Sequence, residues 1–316
     1  MTDAPAPDPA SALALRRSFP ASARLSRWTA PDGWDHRRFD WDAERPVGRL
    51  LFQTGRADVV EKYLEIFAHL VARGWSVSAF DWRGQGGSGR LTSDPHVGHG
   101  TDFATLIEDL RAFWTDWRRE AAGPTVLLGH SMGGHLVLRG VVEGAVAPDA
   151  LILVAPMLGL KLPLGPMLGG AIVRCMAGTC ATRGVWRARE GAGSHTRQRN
   201  LTHDADRYAD EVHWYVRHPE LALGPPSWGW VAAALRSIAS LRGDPRLADV
   251  SVPTLMLLAE ADRLVDPVAA ARLGERIGAR IVRFGPEAAH ELLREADPVR
   301  LRALGVIDAF LDEVAR

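Results

Sequence analysis

Residues 129–133 of this 316-residue chain read Gly-His-Ser-Met-Gly, with Ser131 set two positions from a glycine on either side. The apolar run 125–128 before it reads as a buried parallel strand, and the residues from Met132 onward read as the start of a helix. A serine at such a strand–turn–helix corner is lifted onto a sharp, strained turn, and glycines are needed where the backbone folds back on itself. A serine hydroxyl alone is a poor nucleophile; it needs a base, and the base needs a carboxylate to hold its tautomer. At an elbow of this kind the acid and then the histidine follow in the chain, in loops beyond later strands. Asp262 lies just past the apolar run 255–258, and His290 lies just past 281–284. Asp266 and Glu260 are rivals for the acid; Asp262 is preferred because Asp266 sits beside the helix-starting Pro267. The chemistry such a set supports is acyl transfer, which also requires donors for the anion that forms on the substrate carbonyl. The backbone N–H of Met132, at a helix N-terminus, is one. The loop after an early strand, Thr54-Gly55-Arg56, offers the N–H of Arg56 as the second. For the Arg56 guanidinium, a surface salt bridge is the plain reading and a substrate phosphate the alternative.

The elements that must position these residues follow from periodicity. Strands are expected at 49–53, 75–80, 150–155, 251–258 and 280–284, and helices at 60–71, 103–117, 267–277 and 298–314. Bulky residues recurring from Trp28 to Trp41 suggest an antiparallel hairpin at a sheet edge. Strand–helix alternation implies an α/β fold with a mostly parallel, doubly covered sheet. Residues 157–245 are rich in glycine, proline and arginine with no clear strand, and read as a helical insertion. The expected organisation is a flexible N-terminal arm over 1–25, a core of 26–156 and 246–316, and a helical cap over 157–245. Gly84, Gly86 and Gly89 have phosphate-loop spacing, but no helix starts directly after them, so a tight loop beside the active-site turn is the better reading.

Composition removes other classes. With 38 basic and 38 acidic residues the formal net charge is zero, so the basic excess of a nucleic-acid binder is missing. Cys175 and Cys180 cannot make a disulfide framework and are expected as buried thiols, and no cluster has zinc-ligand spacing; neither metal nor organic cofactor is expected. The first 20 residues lack the apolar core of a secretion signal, and the apolar stretch 158–176 is broken by Lys161, Pro163, Pro166 and Arg174, which points to a cytoplasmic location. Among the remaining histidines, His130 and His135 are expected as packing groups, His96 and His99 as loop supports, and His36 and His69 on solvated faces. His195, His203, His213 and His218 are expected at the surface or at hinges.

These residues resemble the α/β-hydrolase superfamily, and within it the bacterial lysophospholipase and monoacylglycerol lipase group. The likeness runs from about residue 48 to the end. It rests on Gly129-His130-Ser131-Met132-Gly133-Gly134, on the stretch 54–63, and on Asp81-Trp82-Arg83-Gly84-Gln85-Gly86-Gly87-Ser88-Gly89-Arg90-Leu91. It also rests on Asp94-Pro95-His96-Val97-Gly98-His99, Ala155-Pro156-Met157 and Leu201-Thr202-His203. The resemblance implies a Ser131–Asp262–His290 triad, oxyanion N–H groups from Arg56 and Met132, and a cap over an acyl-binding groove. It implies hydrolysis of a lysophospholipid or a monoacylglycerol, with transient contact at a membrane surface such as the inner membrane face. The lipase relatives carry a histidine where this chain has Thr54, which weakens the monoglyceride assignment. A short-chain carboxylesterase, a proline-type aminopeptidase using Glu211 or Glu220 to hold an amine, and a non-catalytic binding scaffold are the alternatives.

Overall fold

The computed structural model describes residues 9–120, 122–186 and 195–316. Helix α1 (Pro9–Arg17) leads into a hairpin of β1 (Ala23–Thr29) and β2 (Asp35–Trp41), followed by β3 (Gly48–Gln53). A 3-10 turn at Val60–Tyr63 runs into α2 (Leu64–Ala72), and β4 (Trp75–Phe80), α3 (Ala104–Arg119), β5 (Thr125–His130), α4 (Met132–Val142) and β6 (Ala150–Val154) follow. Four helices come next: α5 (Gly165–Cys180), α6 (His195–Leu201), α7 (Ala205–Arg217) and α8 (Trp228–Gly243). The chain returns to the sheet with β7 (Thr254–Ala259), α9 (Pro267–Arg276), β8 (Arg280–Phe284) and α10 (Asp297–Val314).

The eight strands form one sheet in the order β1-β2-β4-β3-β5-β6-β7-β8. The two hairpin strands pair antiparallel, β2 joins β4 antiparallel, and every pairing from β4 onward is parallel. Parallel strands covered on both faces show unbroken apolar runs, because each side chain has a core to enter whichever way it points. Here Leu51, Leu127, Leu151, Leu153, Met256 and Leu258 pack with α3, α4, α8 and α9 on one face. Their neighbours Leu50, Phe52, Val126, Leu128, Ile152, Leu255 and Leu257 pack with α2 and α10 on the other. Each such fully buried Leu, Val or Phe contributes roughly 1.5–3 kcal/mol. The sheet therefore presents the carboxyl ends of β5, β7 and β8 along one edge, with β6 between β5 and β7.

Several expectations change at the edges. From Pro9 onward the expected arm is helix α1 and edge strand β1; residues 1–8 lie outside the described residues. Arg16 and Arg17 both pair with Asp210 on α7 at 2.6 Å, and Phe19 packs on Trp214. Two cations sharing one carboxylate and an aromatic contact hold this segment down. His36 lies wholly inside, its ring nitrogens 3.0 Å from the Asp81 carbonyl and 3.4 Å from Asp109. Cys175 is exposed and Cys180 half-buried, because α5 turns that face away from the core.

The segment between β6 and β7 begins by pairing with the loop after β7. The Asp266 N–H donates to the Gly159 carbonyl, the Lys161 N–H donates to that of Leu264, and Leu160 bridges Val265. Among the described residues no helix is long and apolar enough to cross a membrane.

Candidate active site

Ser131 sits between β5 and α4 with φ +53° and ψ −116°, a left-handed backbone rare for a residue with a side chain. Strain of this kind costs on the order of 1–3 kcal/mol and persists only where the surroundings impose it. They do so here: the Ser131 N–H donates to the Val154 carbonyl at 3.0 Å, and its own carbonyl accepts from Met157 at 2.9 Å. A methyl on Gly133 would overlap the carbonyl oxygens of Gln53 and Thr54, and one on Gly129 would meet the backbone of Gly133 and Gly134. The two glycines of the motif are thus required by close approach of backbone to backbone.

The Ser131 hydroxyl oxygen lies 2.8 Å from Nε2 of His290, whose Nδ1 lies 2.5 Å from Oδ2 of Asp262. Asp262 is aimed by its loop, since its Oδ1 accepts from the N–H groups of Leu264 at 2.7 Å and Val265 at 3.0 Å. Burial works against charge on both partners, but their mutual attraction and hydrogen bonding outweigh it. The His290 pKa rises above its ordinary value and that of Asp262 falls below its own. A histidine held in this way accepts a proton readily and is stabilised once it has done so. Asp266 instead caps α9, accepting from Val268 and Ala269, and Glu260 lies at the surface with Arg283.

Among the described residues, neither of the two expected anion donors is taken up by the hydrogen bonds around it. Met132 is the first residue of α4, so its N–H has no partner within the helix. Around Arg56 the loop is tied at both neighbours. The Gly55 N–H donates to Asp58 and its carbonyl accepts from Gln85; the Ala57 N–H donates to Gln85 and its carbonyl accepts from Tyr215. The Arg56 N–H between them has no protein acceptor among the described residues.

The Arg56 side chain is not in a surface salt bridge. Both terminal nitrogens donate to the Gly224 carbonyl, at 3.0 and 3.1 Å, and the guanidinium lies 5.6 Å from the centre of the Trp230 ring. Burial and the nearby Arg197 charge press its pKa down to about 9, so it is still cationic at neutral pH.

A second layer of polar groups, not anticipated from sequence, lies beneath. Lys62 pairs with Asp58 at 2.9 Å, Glu211 at 2.8 Å and Glu291 at 2.6 Å, all of them buried. Burial opposes its charge, but the three carboxylates raise its pKa well above the usual value. Arg294 pairs with Glu291, and Arg197 pairs with Glu211. Tyr63 donates to Asp58 at 2.6 Å, and His130 lies 3.1 Å from the Tyr63 hydroxyl and 3.3 Å from the His290 carbonyl oxygen. One buried network therefore joins the loop carrying Arg56 to the loop carrying His290. The Leu201-Thr202-His203 motif docks on that second loop: the Leu201 carbonyl accepts from Glu291, Thr202 donates to the Arg294 carbonyl, and the His203 N–H donates to Glu295. The glycine-rich loop supplies Gln85 and so acts as a buttress for 55–57, as its tight-loop reading implied.

Ser131 and His290 open onto a cavity of about 790 Å³. Leu160, Leu162, Leu164, Ile172, Trp186 and Trp228 are among its walls, with Arg56, Lys62 and Arg197 at its polar side. Trp214 is elsewhere, packed on Phe19, and Leu158 is core. His135 is also core, its Nε2 2.6 Å from the Ser237 hydroxyl. Among the described residues no cluster of three or more His, Cys, Asp or Glu side chains could hold a metal ion.

A mostly parallel sheet with a serine elbow after a central strand, and acid and histidine loops after the last two strands on one side of it, is the α/β-hydrolase fold. The chain belongs to the Hydrolase_4 family (serine aminopeptidase, S33), whose model matches residues 44–297. It is a serine hydrolase. Lysophospholipase L2 of Escherichia coli is 33% identical over 286 residues, covering 81% of this chain and 78% of that protein. Phospholipase YtpA of Bacillus subtilis is 27% identical, covering 72% of this chain and 80% of its own length. In fold, a soluble variant of the monoglyceride lipase of Saccharomyces cerevisiae, solved with a substrate analogue, matches with a TM-score of 0.75 at 18% identity, covering 93% of this chain and 96% of that one.

Proposed function

We propose that this protein hydrolyses the acyl ester of a single-chain lipid through an acyl-enzyme on Ser131. His290 takes the hydroxyl proton at Nε2 as the serine oxygen attacks the ester carbonyl, and Asp262 stabilises the imidazolium. The oxyanion is held by the N–H groups of Arg56 and Met132. His290 then returns its proton to the departing alcohol, and a water activated by the same nitrogen releases the fatty acid. Residues 157–245 serve as a cap whose inner face binds the acyl chain.

The observation that carries this reading is the single cavity joining Ser131 and His290 to walls of leucine, isoleucine and tryptophan from the 157–245 segment. Its volume of about 790 Å³ falls in the range of sites that enclose a small ligand. The names of the relatives point the same way.

The family description raises an aminopeptidase as the second reading, and that activity needs a carboxylate free to hold an amine. Asp58 and Glu291 line the cavity but are committed to Lys62, with Glu291 shared by Arg294. Glu211 is committed to Lys62 and Arg197, and Glu220 lies on the surface near His218. The ester reading is therefore favoured.

The test is hydrolysis of a matched set: long-chain lysophosphatidylcholine, a monoacylglycerol of the same chain, a nitrophenyl acetate and a prolyl amide, with Ser131→Ala as control. Turnover of the long-chain lipids, and labelling by a fluorophosphonate that Ser131→Ala loses, are the expected results. Turnover of the short ester alone would remove the acyl groove from the reading. Full activity in Ser131→Ala would remove the triad.

A further inference from the structure

The cationic side chains around the cavity are not equivalent. Lys62 is enclosed by three carboxylates, Arg197 is paired with Glu211, and Lys161 at the rim donates its ammonium to the Asp262 carbonyl. Arg56 differs from Lys62 and Arg197: among the described residues no carboxylate pairs with it, and its recorded polar partner is the Gly224 carbonyl. A guanidinium has five N–H donors in a rigid plane. Two are spent on that one oxygen, and the group sits beside Trp230 on the cavity wall. Burial and Arg197 both disfavour its charge, which leaves it suited to an incoming anion. Its place in the chain ties it to the reaction. Arg56 carries the N–H proposed as an oxyanion donor, and it lines the same cavity as Ser131 and His290.

We propose that the Arg56 guanidinium is the head-group receptor of this site, engaging a phosphate oxygen of the alcohol portion, so that the preferred substrate is a lysophospholipid and not a monoacylglycerol. This rests on the single-chain lipid ester reading above and decides the half of it that the relatives leave open. Planar donors match phosphate in a way that a point charge does not. One Arg56 residue would thus serve the reaction twice, its backbone at the oxyanion and its side chain at the leaving group.

The experiment compares kcat/KM for lysophosphatidylglycerol and for monoacylglycerol with the same acyl chain, in the wild type and in Arg56→Met and Arg56→Lys. Both variants keep the backbone N–H. The expected result is a wild-type preference for the phosphate-bearing lipid that falls by about tenfold or more in Arg56→Met, mainly through KM, the worth of one hydrogen-bonded charge pair. Arg56→Lys should recover part of it. A merely structural role would depress both substrates alike, and an unmoved ratio would overturn the proposal. Inorganic phosphate is added in a separate arm. Inhibition that disappears in Arg56→Met while the ratio stays constant would make this a free-phosphate site and overturn the head-group assignment. If the wild type cleaves neither lipid, the proposed function itself fails, and this inference falls with it.

Discussion

Replacing Lys62 with methionine removes the cation that Asp58, Glu211 and Glu291 share at 2.6–2.9 Å. The three carboxylates do not lose equally. Glu211 retains Arg197 and Glu291 retains Arg294, whereas Asp58 keeps the Tyr63 hydroxyl and the Gly55 N–H without a permanent cation. The loss is therefore that of about one uncompensated buried charge, roughly 3–5 kcal/mol. For a chain of this length about 2 °C per kcal/mol is appropriate, so the thermal midpoint at pH 8 should fall by about 6–10 °C. In the wild type, burial alone would raise the pKa of Asp58, but Lys62 and the hydrogen bonds hold it well below the ordinary value. Its stabilising contribution is present above the unfolded pKa and lost as pH falls through the folded one. In Lys62→Met burial prevails, the Asp58 pKa rises, and the carboxylate protonates on mild acidification. The gap between wild type and variant should thus narrow from pH 8 to pH 5. Adding Asp58→Asn to Lys62→Met should recover a good part of the loss at pH 8. Calorimetric melting of the three proteins makes the test. A midpoint change under 1 °C, or a gap that does not vary with pH, would refute the account of Lys62 as the neutralising centre.

Three further outcomes follow from the geometry. His290 must be neutral to take the serine proton and its pKa is raised above 6.5, so the acid limb of kcat/KM against pH should lie above that value. Asp262→Asn should shift the limb downward and lower kcat by about 10⁴; an unshifted limb would assign it to another group. His135 is buried with its pKa depressed to about 3, first by burial and then by Arg139. A depressed base costs stability as pH falls below its unfolded value, so about 2 kcal/mol should be lost from pH 7 to pH 5 through this group. His135→Gln should flatten that part of the melting profile, and a profile equally steep in the variant would discount it. Gly133→Ala drives a methyl into the Gln53 and Thr54 carbonyls, and should cost at least about 2 kcal/mol in a urea melt along with most activity. An alanine variant with wild-type melting and turnover would mean that the elbow has slack.

The parts of this molecule that could be read in advance are those with local signatures. The strands β3, β5, β6 and β7 are legible from apolar runs, because burial on two faces leaves little polar alternation to confuse them. Ser131, Asp262 and His290 came from a motif and from chain order, although Ser131 and His290 are 159 positions apart. The misses have the opposite character. Helix α1 is held by Asp210 and Trp214, nearly two hundred positions away, so its own residues look like a loose arm. His36 appeared solvated because a hairpin strand at an edge normally is, but α3 brings Asp109 over it. Lys62, Glu211 and Glu291 belong to three separate segments, and no spacing announces that they meet. Thr202 and His203 could be recognised as a resemblance, but their docking on the histidine loop emerges only from the assembled fold. The cavity walls divide what sequence left undivided: Trp186 and Trp228 line it, whereas Trp214 and Leu158 do not.

The ribbon formed by residues 159–161 and 264–266 bears on how this scaffold can be re-engineered. Its far side is the loop that aims Asp262, so the root of the segment after β6 is also lateral support for the acid. A graft that brings a foreign segment in at residue 157 would replace this support and disturb the triad along with the pocket. A seam placed beyond Lys161, where Leu164 and Gly165 already bend the chain at φ +66° and +77°, leaves the acid loop with its own partner. Substrate scope and catalytic competence are then separable by a choice of a few residues in where the chain is cut.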